Sequence, residues 1–172
     1  MAANQRLQPL TSSQMTGVSG HVGFRVLVTA LAAGYRVRAT VRKQEQIDTI
    51  KTTKSIKPHV DNLEMVVVPD ILKDGAFDAA LKDVTYIIHL ASPLAKEVRY
   101  NQSLKRVKAN TCCKTDDAER DIIKPAIHAT LNILESAHKS PGVKRVVITS
   151  SVAVITAGRP EERDRVFTGT SH

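Results

Sequence analysis

The chain has no tryptophan, and only three phenylalanines and three tyrosines occur among its 172 residues. Its two cysteines, Cys112 and Cys113, are neighbours, and adjacent cysteines rarely pair with each other. The sequence therefore lacks the disulfide framework of a small secreted domain. The six histidines are scattered, and neither His-x-x-x-His nor Cys-x-x-Cys spacing occurs. We accordingly expect no metal site.

Long apolar runs are also missing from the sequence. No segment is long enough to cross a bilayer, and the amino-terminal region has no apolar stretch typical of a signal peptide. These features predict a cytoplasmic protein without a membrane partner. The formal net charge of +8 raises the question of nucleic acid. The basic residues form no single stripe, however, and few aromatic side chains could stack on bases, so we expect no nucleic-acid partner.

What the sequence does contain is an alternation of strand and helix patterns within a length that fits one domain. Strands are predicted at 35–41, 64–68, 84–90 and 145–149, and helices at 22–33, 43–54, 75–81 and about 121–139. In the last helix an apolar stripe recurs every three or four residues: Ile123, Ile127, Thr130, Leu131, Leu134 and Ala137. Apolar strands that alternate with helices predict an α/β fold with a parallel sheet covered on both faces.

A glycine-rich loop precedes the first predicted helix. Residues 16–23, TGVSGHVG, have G-x-x-G-x-x-G spacing. Glycines let the backbone approach a pyrophosphate, and a helix N-terminus supplies N–H donors and positive potential. The order of loop, helix and strand favours a dinucleotide site over an ordinary glycine-rich loop. The predicted contacts are Gly17, Ser19, Gly20, His21, Val22 and Gly23.

The end of the second predicted strand indicates which dinucleotide binds. An NAD site usually has a carboxylate there for the ribose 2′-hydroxyl, whereas NADP requires cations for the 2′-phosphate. Here Arg42 and Lys43 follow the strand, and no acid occurs before Glu45. Arg42 can bind a phosphate with two parallel hydrogen bonds, and Lys43 can add a point charge. These residues predict NADP(H), the alternative being that both are ordinary surface charges.

Four segments occur together in the order seen in extended short-chain dehydrogenases/reductases. They are TGVSGHVG, GYRVRATVRK, VVPDILKDGAFDAALKDVTYIIHLASP and DIIKPAIHATLNILESAHKSPGVKRVVITSSVA. Over residues 16–97 and 115–158 the chain resembles the dihydroflavonol and cinnamoyl-CoA reductase branch, including its fungal ketone and aldehyde reductases. The resemblance implies a Rossmann-type doubly wound parallel sheet. It also implies an NADP(H)-dependent oxidoreductase acting on a small-molecule ketone or aldehyde, or on the corresponding alcohol.

The resemblance also assigns roles to residues at the ends of the later strands. Asp70 and Ile71 would flank the adenine, and Ala91, Ser92 and Pro93 would lie along the nicotinamide. Ser151 would be the catalytic serine that polarises the substrate carbonyl, with Ser150 as the other register. The alternatives are a turn acid for Asp70, a strand stop for Ser92-Pro93, and a plain strand-end serine pair for Ser150-Ser151.

The proton donor of the family, Tyr-x-x-x-Lys, does not occur in the sequence. The residues four places after Tyr35, Tyr86 and Tyr100 are alanine, leucine and leucine. The family spacing would place the motif past His172. We therefore expect an incomplete fold without the later strands and the substrate lobe. The alternatives are a non-catalytic NADP(H)-binding regulator, an inactive truncated product, and an epimerase or dehydratase, against which Arg42 counts.

Two stretches do not fit this pattern. The residues at 7–16 are polar and contain Pro9, so a central first strand is doubtful. Residues 98–114 form an anomalous basic insertion, and their removal would restore the usual spacing of the family. An intron read through in the gene model and a genuine surface insertion both explain them. Because an incomplete sheet buries less apolar surface and leaves an unpaired edge, we expect a poorly stable chain that is prone to aggregation.

Overall fold

The computed structural model describes residues 12–92 and 119–151. Its centre is a sheet of five parallel strands in the order β3-β2-β1-β4-β5. The strands are β1 (Ser12–Thr16), β2 (Arg36–Val41), β3 (Leu63–Val67), β4 (Tyr86–His89) and β5 (Arg145–Ile148). The strand order reverses between β1 and β4, which makes their carboxyl ends the topological switch point where such sheets bind ligands. The predicted Rossmann-type α/β fold is confirmed.

Three α-helices connect the strands. They are α1 (His21–Ala32), α2 (Gln44–Thr52) and α3 (Lys124–Lys139), and a short 3₁₀ helix (Lys57–Asn62) and a π-helical turn (Glu119–Ile123) accompany them. The bounds of α1 and α2 lie within one or two residues of the predicted ones. The basic insertion at 98–114 and Pro9 lie outside the described residues.

The prediction of a short helix at 75–81 is wrong, because turns occupy this region. The amides of Ala76 and Asp78 bond to carbonyls three residues back, at 3.0 Å each, whereas Leu81 N bonds to Phe77 O four residues back. Such mixed bonding does not build a regular helix. The apolar spacing of Phe77 and Leu81 reflects their burial under the sheet, not repeated helical hydrogen bonds.

The doubt about the first strand is also wrong. Residues Ser12–Thr16 form the central strand, paired with β2 on one side and β4 on the other. Ser13, Gln14 and Thr16 are buried, and the side chains of Gln14 and Thr16 find partners on neighbouring strands, although Gln14 Oε1 has none among the described residues. Gln14 Nε2 donates to Thr40 Oγ1 at 3.5 Å, and Thr16 Oγ1 lies 2.9 Å from His89 Nδ1. Cross-strand hydrogen bonds therefore let this polar segment enter the core.

Two apolar clusters cover the opposite faces of the sheet. One contains Met15 with Leu27 and Leu31 of α1. The other contains Ile87 of β4, Phe77 and Ile133 of α3. Because Gln14 pairs with Ile87 and Met15 follows Gln14, the alternation of side chains along a strand puts the clusters on different sides.

The apolar stripe of α3 is largely exposed, although Ala137 from the stripe is buried. Ile127 and Leu131 are 53% and 48% exposed, and Ile123 and Leu134 are exposed as well. The buried residues of α3 are Ala129, Asn132, Ile133, Ser136 and Ala137. Hydrogen bonds explain this choice of face, since Asn132 Nδ2 donates to Ile71 O at 2.9 Å and Asn132 Oδ1 accepts from Gly75 N at 3.1 Å. Ser136 Oγ donates to Asp78 Oδ1 at 2.6 Å.

Candidate nucleotide-binding site

A cavity of about 210 Å³ lies at the carboxyl ends of the strands, beside the switch point. Seven of the predicted site residues line it: Gly17, Ser19, Gly20, Arg42, Ile71, Ala91 and Ser92. Thr16, Thr40, Val41, Val68 and Leu90 complete the lining. The structure thus brings together residues of four separate predicted segments, the glycine loop, the end of β2, the turn after β3 and the turn after β4.

Gly17 begins the loop in a conformation that only glycine adopts readily. Its φ is +73°, and a Cβ there would lie 2.7 Å from Ala91 N and 2.8 Å from Leu90 C. The loop backbone therefore lies directly against the turn that follows β4.

The loop leads into the amino end of α1. The first α-helical bond runs from Phe24 N to Gly20 O at 2.8 Å, so the amides of His21, Val22 and Gly23 precede it and have no intrahelical acceptor. The side chains of His21 and Val22 are exposed and do not line the cavity. Amides in this position attract anions because the helix dipole adds positive potential.

Gly23 acts on packing and not on the cavity itself. A Cβ at this position would lie 2.1 Å from Gly17 O, so any side chain would force α1 away from the loop. Gly23 does not line the cavity. Gly23 was predicted to contact the cofactor. In the structure it instead allows α1 to pack closely against the glycine loop.

Arg42 stands at the end of β2 and lines the cavity with an exposed side chain. Within the described part of the chain its guanidinium forms no ion pair. Lys43 is exposed and lies outside the cavity lining. Gln46 Oε1 accepts from Arg42 N at 2.9 Å and from Lys43 N at 3.1 Å, which fixes the backbone of this turn. Gln46 was not predicted, although its position three residues into a helix is typical of a capping residue.

The residues predicted to lie beside the adenine and the nicotinamide differ in where the structure places them. Ile71, Ala91 and Ser92 line the cavity, whereas Asp70 does not. Asp70 Oδ1 instead accepts from Leu72 N at 2.9 Å, the geometry of a turn acid. Pro93 lies outside the described residues.

Ser150 and Ser151 follow β5 at the same end of the sheet and are exposed. Neither lines the cavity. The carboxyl end of β5 faces the same side as the glycine loop because all strands are parallel. The catalytic role of Ser151 stays a prediction.

Two residues that the sequence did not single out connect β1 to β4. Thr16 Oγ1 accepts from Leu90 N and Ala91 N at 3.1 and 3.0 Å and lies 2.9 Å from His89 Nδ1. His89 is buried, and burial lowers its pKa. Thr16 precedes the glycine loop directly, but its partners lie more than seventy residues later, so no local pattern could reveal them.

A larger cleft of about 640 Å³ opens at the amino ends of the strands. Its lining includes Ser12 and Arg38 but no part of the glycine loop. Arg38 is already engaged, since its Nε donates to Glu64 Oε2 at 2.8 Å and its Nη1 donates to Ala80 O at 3.1 Å. The smaller cavity is therefore the better candidate for a nucleotide.

Across residues 12–92 and 119–151, no group of three or more histidine, cysteine, aspartate or glutamate side chains could hold a metal ion. None of the helices in these ranges has both the length and the apolar character needed to cross a membrane.

Comparison with known proteins identifies the family. The NAD dependent epimerase/dehydratase family matches residues 14–171. The chain is 40% identical over 146 residues to the NAD-dependent epimerase/dehydratase ALT6 of Alternaria alternata, covering 82% of this chain and 37% of that protein. It is 35% identical over 142 residues to the ketoreductase CTB6 of Cercospora nicotianae, covering 80% and 36%.

A solved structure agrees with these relatives. The yeast methylglyoxal/isovaleraldehyde reductase Gre2, crystallised with NADPH, superposes with a TM-score of 0.64 at 30% identity, over 83% of this chain and 37% of that chain. The chain thus spans little more than a third of the length of the proteins it matches. The predicted resemblance to extended short-chain dehydrogenases/reductases is confirmed, and the chain belongs to the NAD dependent epimerase/dehydratase family.

Proposed function

We propose that this chain binds NADP(H) in the cavity at the carboxyl ends of the strands. We further propose that it is the nucleotide-binding part of a cytoplasmic oxidoreductase that acts on a ketone or aldehyde, or on the corresponding alcohol. One observation carries the choice of cofactor. Arg42 lines the cavity without a described ion-pair partner, at the position where an NAD site would carry a carboxylate.

The cavity suits a dinucleotide because each part of the ligand finds matching chemistry. The glycine loop and the free amides of α1 would hold the pyrophosphate. Arg42, with Lys43 beside it, would bind the 2′-phosphate. Ile71 would contact the adenine, and Ala91 and Ser92 would lie along the nicotinamide. The NADPH bound to yeast Gre2 supports this preference.

The nicotinamide supplies hydride chemistry when the cofactor is bound. The part of this chain that would act on the substrate is Ser151, whose hydroxyl would donate a hydrogen bond to the carbonyl oxygen and polarise it. The proton for the resulting alkoxide requires an acid such as the Tyr-x-x-x-Lys pair. That pair does not occur among the 172 residues.

The alternative to this proposal is an NADP(H)-binding regulator without catalysis. A panel of ketones and aldehydes incubated with NADPH tests for turnover. Consumption of NADPH supports the oxidoreductase and contradicts the regulator.

Isothermal titration calorimetry with NADPH and NADH tests the cofactor assignment. Wild-type chain is expected to bind NADPH more tightly than NADH. Arg42→Ala is expected to weaken NADPH binding roughly tenfold or more, the contribution of a hydrogen bond between charged groups, and to leave NADH binding unchanged. Arg25→Ala, a matched change at an exposed position on α1, is the control and should alter neither affinity. Equal affinity of the wild type for the two cofactors contradicts the proposal.

A further inference from the structure

The hydroxyl of Thr16 lies at the junction of three segments. It accepts hydrogen bonds from Leu90 N and Ala91 N, and it also contacts His89 Nδ1 at 2.9 Å. Thr16 is the last residue of β1, and the three partners end β4 and begin the turn beyond it. One side chain therefore joins the start of the glycine loop to the nicotinamide side of the cavity.

The single proton of the Thr16 hydroxyl determines which tautomer the His89 ring adopts. A threonine hydroxyl has one proton to donate and two lone pairs that accept. Both lone pairs are used by the amides of Leu90 and Ala91, so the proton is directed at His89 Nδ1. His89 Nδ1 must then be an acceptor. The neutral imidazole consequently carries its own proton on Nε2.

The surroundings of His89 favour this neutral form. The residue is 2% exposed, and its ring meets Phe77 edge to face at 6.2 Å between centroids. His89 Nε2 has no hydrogen-bond partner among the described residues. If this enclosed position had only a structural role, an apolar side chain would cost less free energy to bury there than histidine. The bond from Thr16 to Nδ1 is the one polar contact of the ring that residues 12–92 and 119–151 provide.

We propose that His89 is a positioning residue of the nucleotide site. By accepting a hydrogen bond from the Thr16 hydroxyl at Nδ1, it orients the two lone pairs of Thr16 toward Leu90 N and Ala91 N. That arrangement holds the turn after β4 against Gly17, whose backbone the turn touches. Since Ala91 and Ser92 line the cavity, the Thr16–His89 pair sets the position of the wall next to the nicotinamide. The inference deepens the proposed NADP(H) function and rests on it.

The first experiment needs no cofactor and no variant. Long-range ¹H–¹⁵N NMR spectra of the full chain at neutral pH distinguish the two imidazole tautomers. We expect the His89 ring to be protonated at Nε2 and unprotonated at Nδ1. A proton on Nδ1 would overturn the inference, because Thr16 could then no longer donate to it.

Two substitutions of His89 separate positioning from simple packing. In His89→Asn the side-chain oxygen can replace Nδ1 as the acceptor, whereas His89→Leu fills the space and accepts nothing. Leucine suits the apolar pocket better than a partly unpaired asparagine, so the leucine variant should be the more stable on denaturation. Protection of the Leu90 and Ala91 amides from hydrogen exchange should rank in the opposite order, with asparagine closer to wild type. If amide protection simply follows stability, His89 has no positioning role.

Cofactor binding provides the functional readout. His89→Leu is expected to weaken NADPH binding between about twofold and tenfold, the range of one neutral hydrogen bond. Affinity for 2′,5′-ADP, which lacks the nicotinamide half, should stay within about twofold of wild type, and His89→Asn should restore NADPH affinity. Equal losses for both ligands contradict the inference. If the wild type binds neither ligand, the proposed NADP(H) function fails. The tautomer and the amide exchange still test whether His89 positions the turn through Thr16.

Discussion

The two halves of the sheet differ in how much of their apolar surface is covered. On the side of β1, β2 and β3, the apolar residues of α1 and α2 close over Met15, Val37 and Ala39. On the side of β4 and β5, Ile127, Leu131 and Val147 are each about half exposed. The half that holds the glycine loop and Arg42 is therefore a packed layer. The other half is covered on one face by the cluster of Ile87, Phe77 and Ile133 and leaves apolar side chains exposed elsewhere.

The largest expected effect concerns the packed half. Leu27 on α1 is fully buried. Leu27→Ala should lower the free energy of unfolding by about 2–5 kcal/mol, because it removes a buried isopropyl group and leaves a cavity. Leu131→Ala on the exposed face of α3 should change it by no more than about 1 kcal/mol. Urea denaturation followed by circular dichroism measures both. Similar losses of stability for the two variants would contradict the proposed difference in packing between the two halves of the sheet.

The next effect concerns the first loop glycine. Gly17→Ala combines a positive φ with a Cβ overlapping Ala91 N, so we expect about 1–3 kcal/mol less stability and loss of NADPH binding. Gly34→Ala is the matched control, because Gly34 has a φ of +87° but nothing within 4 Å of the added Cβ. It should cost about 1 kcal/mol and leave binding intact. NADPH binding by Gly17→Ala at wild-type affinity would show that the loop does not contact the cofactor.

A pH dependence follows from the lowered pKa of His89, which burial causes. The unfolded chain binds this proton more readily than the folded one, so stability is full above the unfolded pKa of about 6.5 and decreases as the pH falls toward the folded pKa. The slope due to this residue cannot exceed about 1.4 kcal/mol per pH unit. Denaturation curves between pH 7 and pH 5 should show a shallower decline for His89→Leu than for wild type. Parallel declines would mean that the pKa of His89 is the same in the folded and the unfolded state.

The smallest change in stability is expected from Leu131→Glu on the exposed face of α3. The charge lies on the surface, so the denaturation midpoint should hardly move. Self-association should decrease, because the substitution interrupts the exposed apolar stripe. Light scattering over a range of protein concentrations measures this. Thr49→Glu on the exposed face of α2 is the control, and an equal decrease there would argue that net charge alone is responsible.

The sequence predicts those parts of the molecule whose structure is determined by residues close together in the chain. The glycine loop and the Arg42–Lys43 turn each lie within a few residues, and the structure brings Gly17, Ser19, Gly20 and Arg42 from these segments to one cavity. Strand β1 is doubtful from the sequence because its residues are polar and follow Pro9, and the partners that allow its burial lie far along the chain. Gln14 bonds to Thr40, and Thr16 bonds to residues near His89.

Helix α3 shows the same limit of local patterns. Most of its regular apolar stripe is exposed, because hydrogen bonds from Asn132 and Ser136 hold a different face of the helix against the protein. Their partners lie in the turns at 71–83, about sixty residues earlier. No periodicity within the helix reports bonds to a distant turn. Hydrophobic spacing therefore predicted that the helix exists but not which side of it is buried.

The most direct test of NADP(H) binding at the carboxyl ends of the strands is a ¹⁵N NMR titration of the full chain with NADPH. We expect the largest shift changes at the amides of Gly17, Gly20, Arg42 and Ala91, which surround the smaller cavity. Residues of the larger cleft, such as Arg36 and Glu64, should hardly shift. Changes confined to the larger cleft, or no saturable change at all, would contradict the assignment of the site.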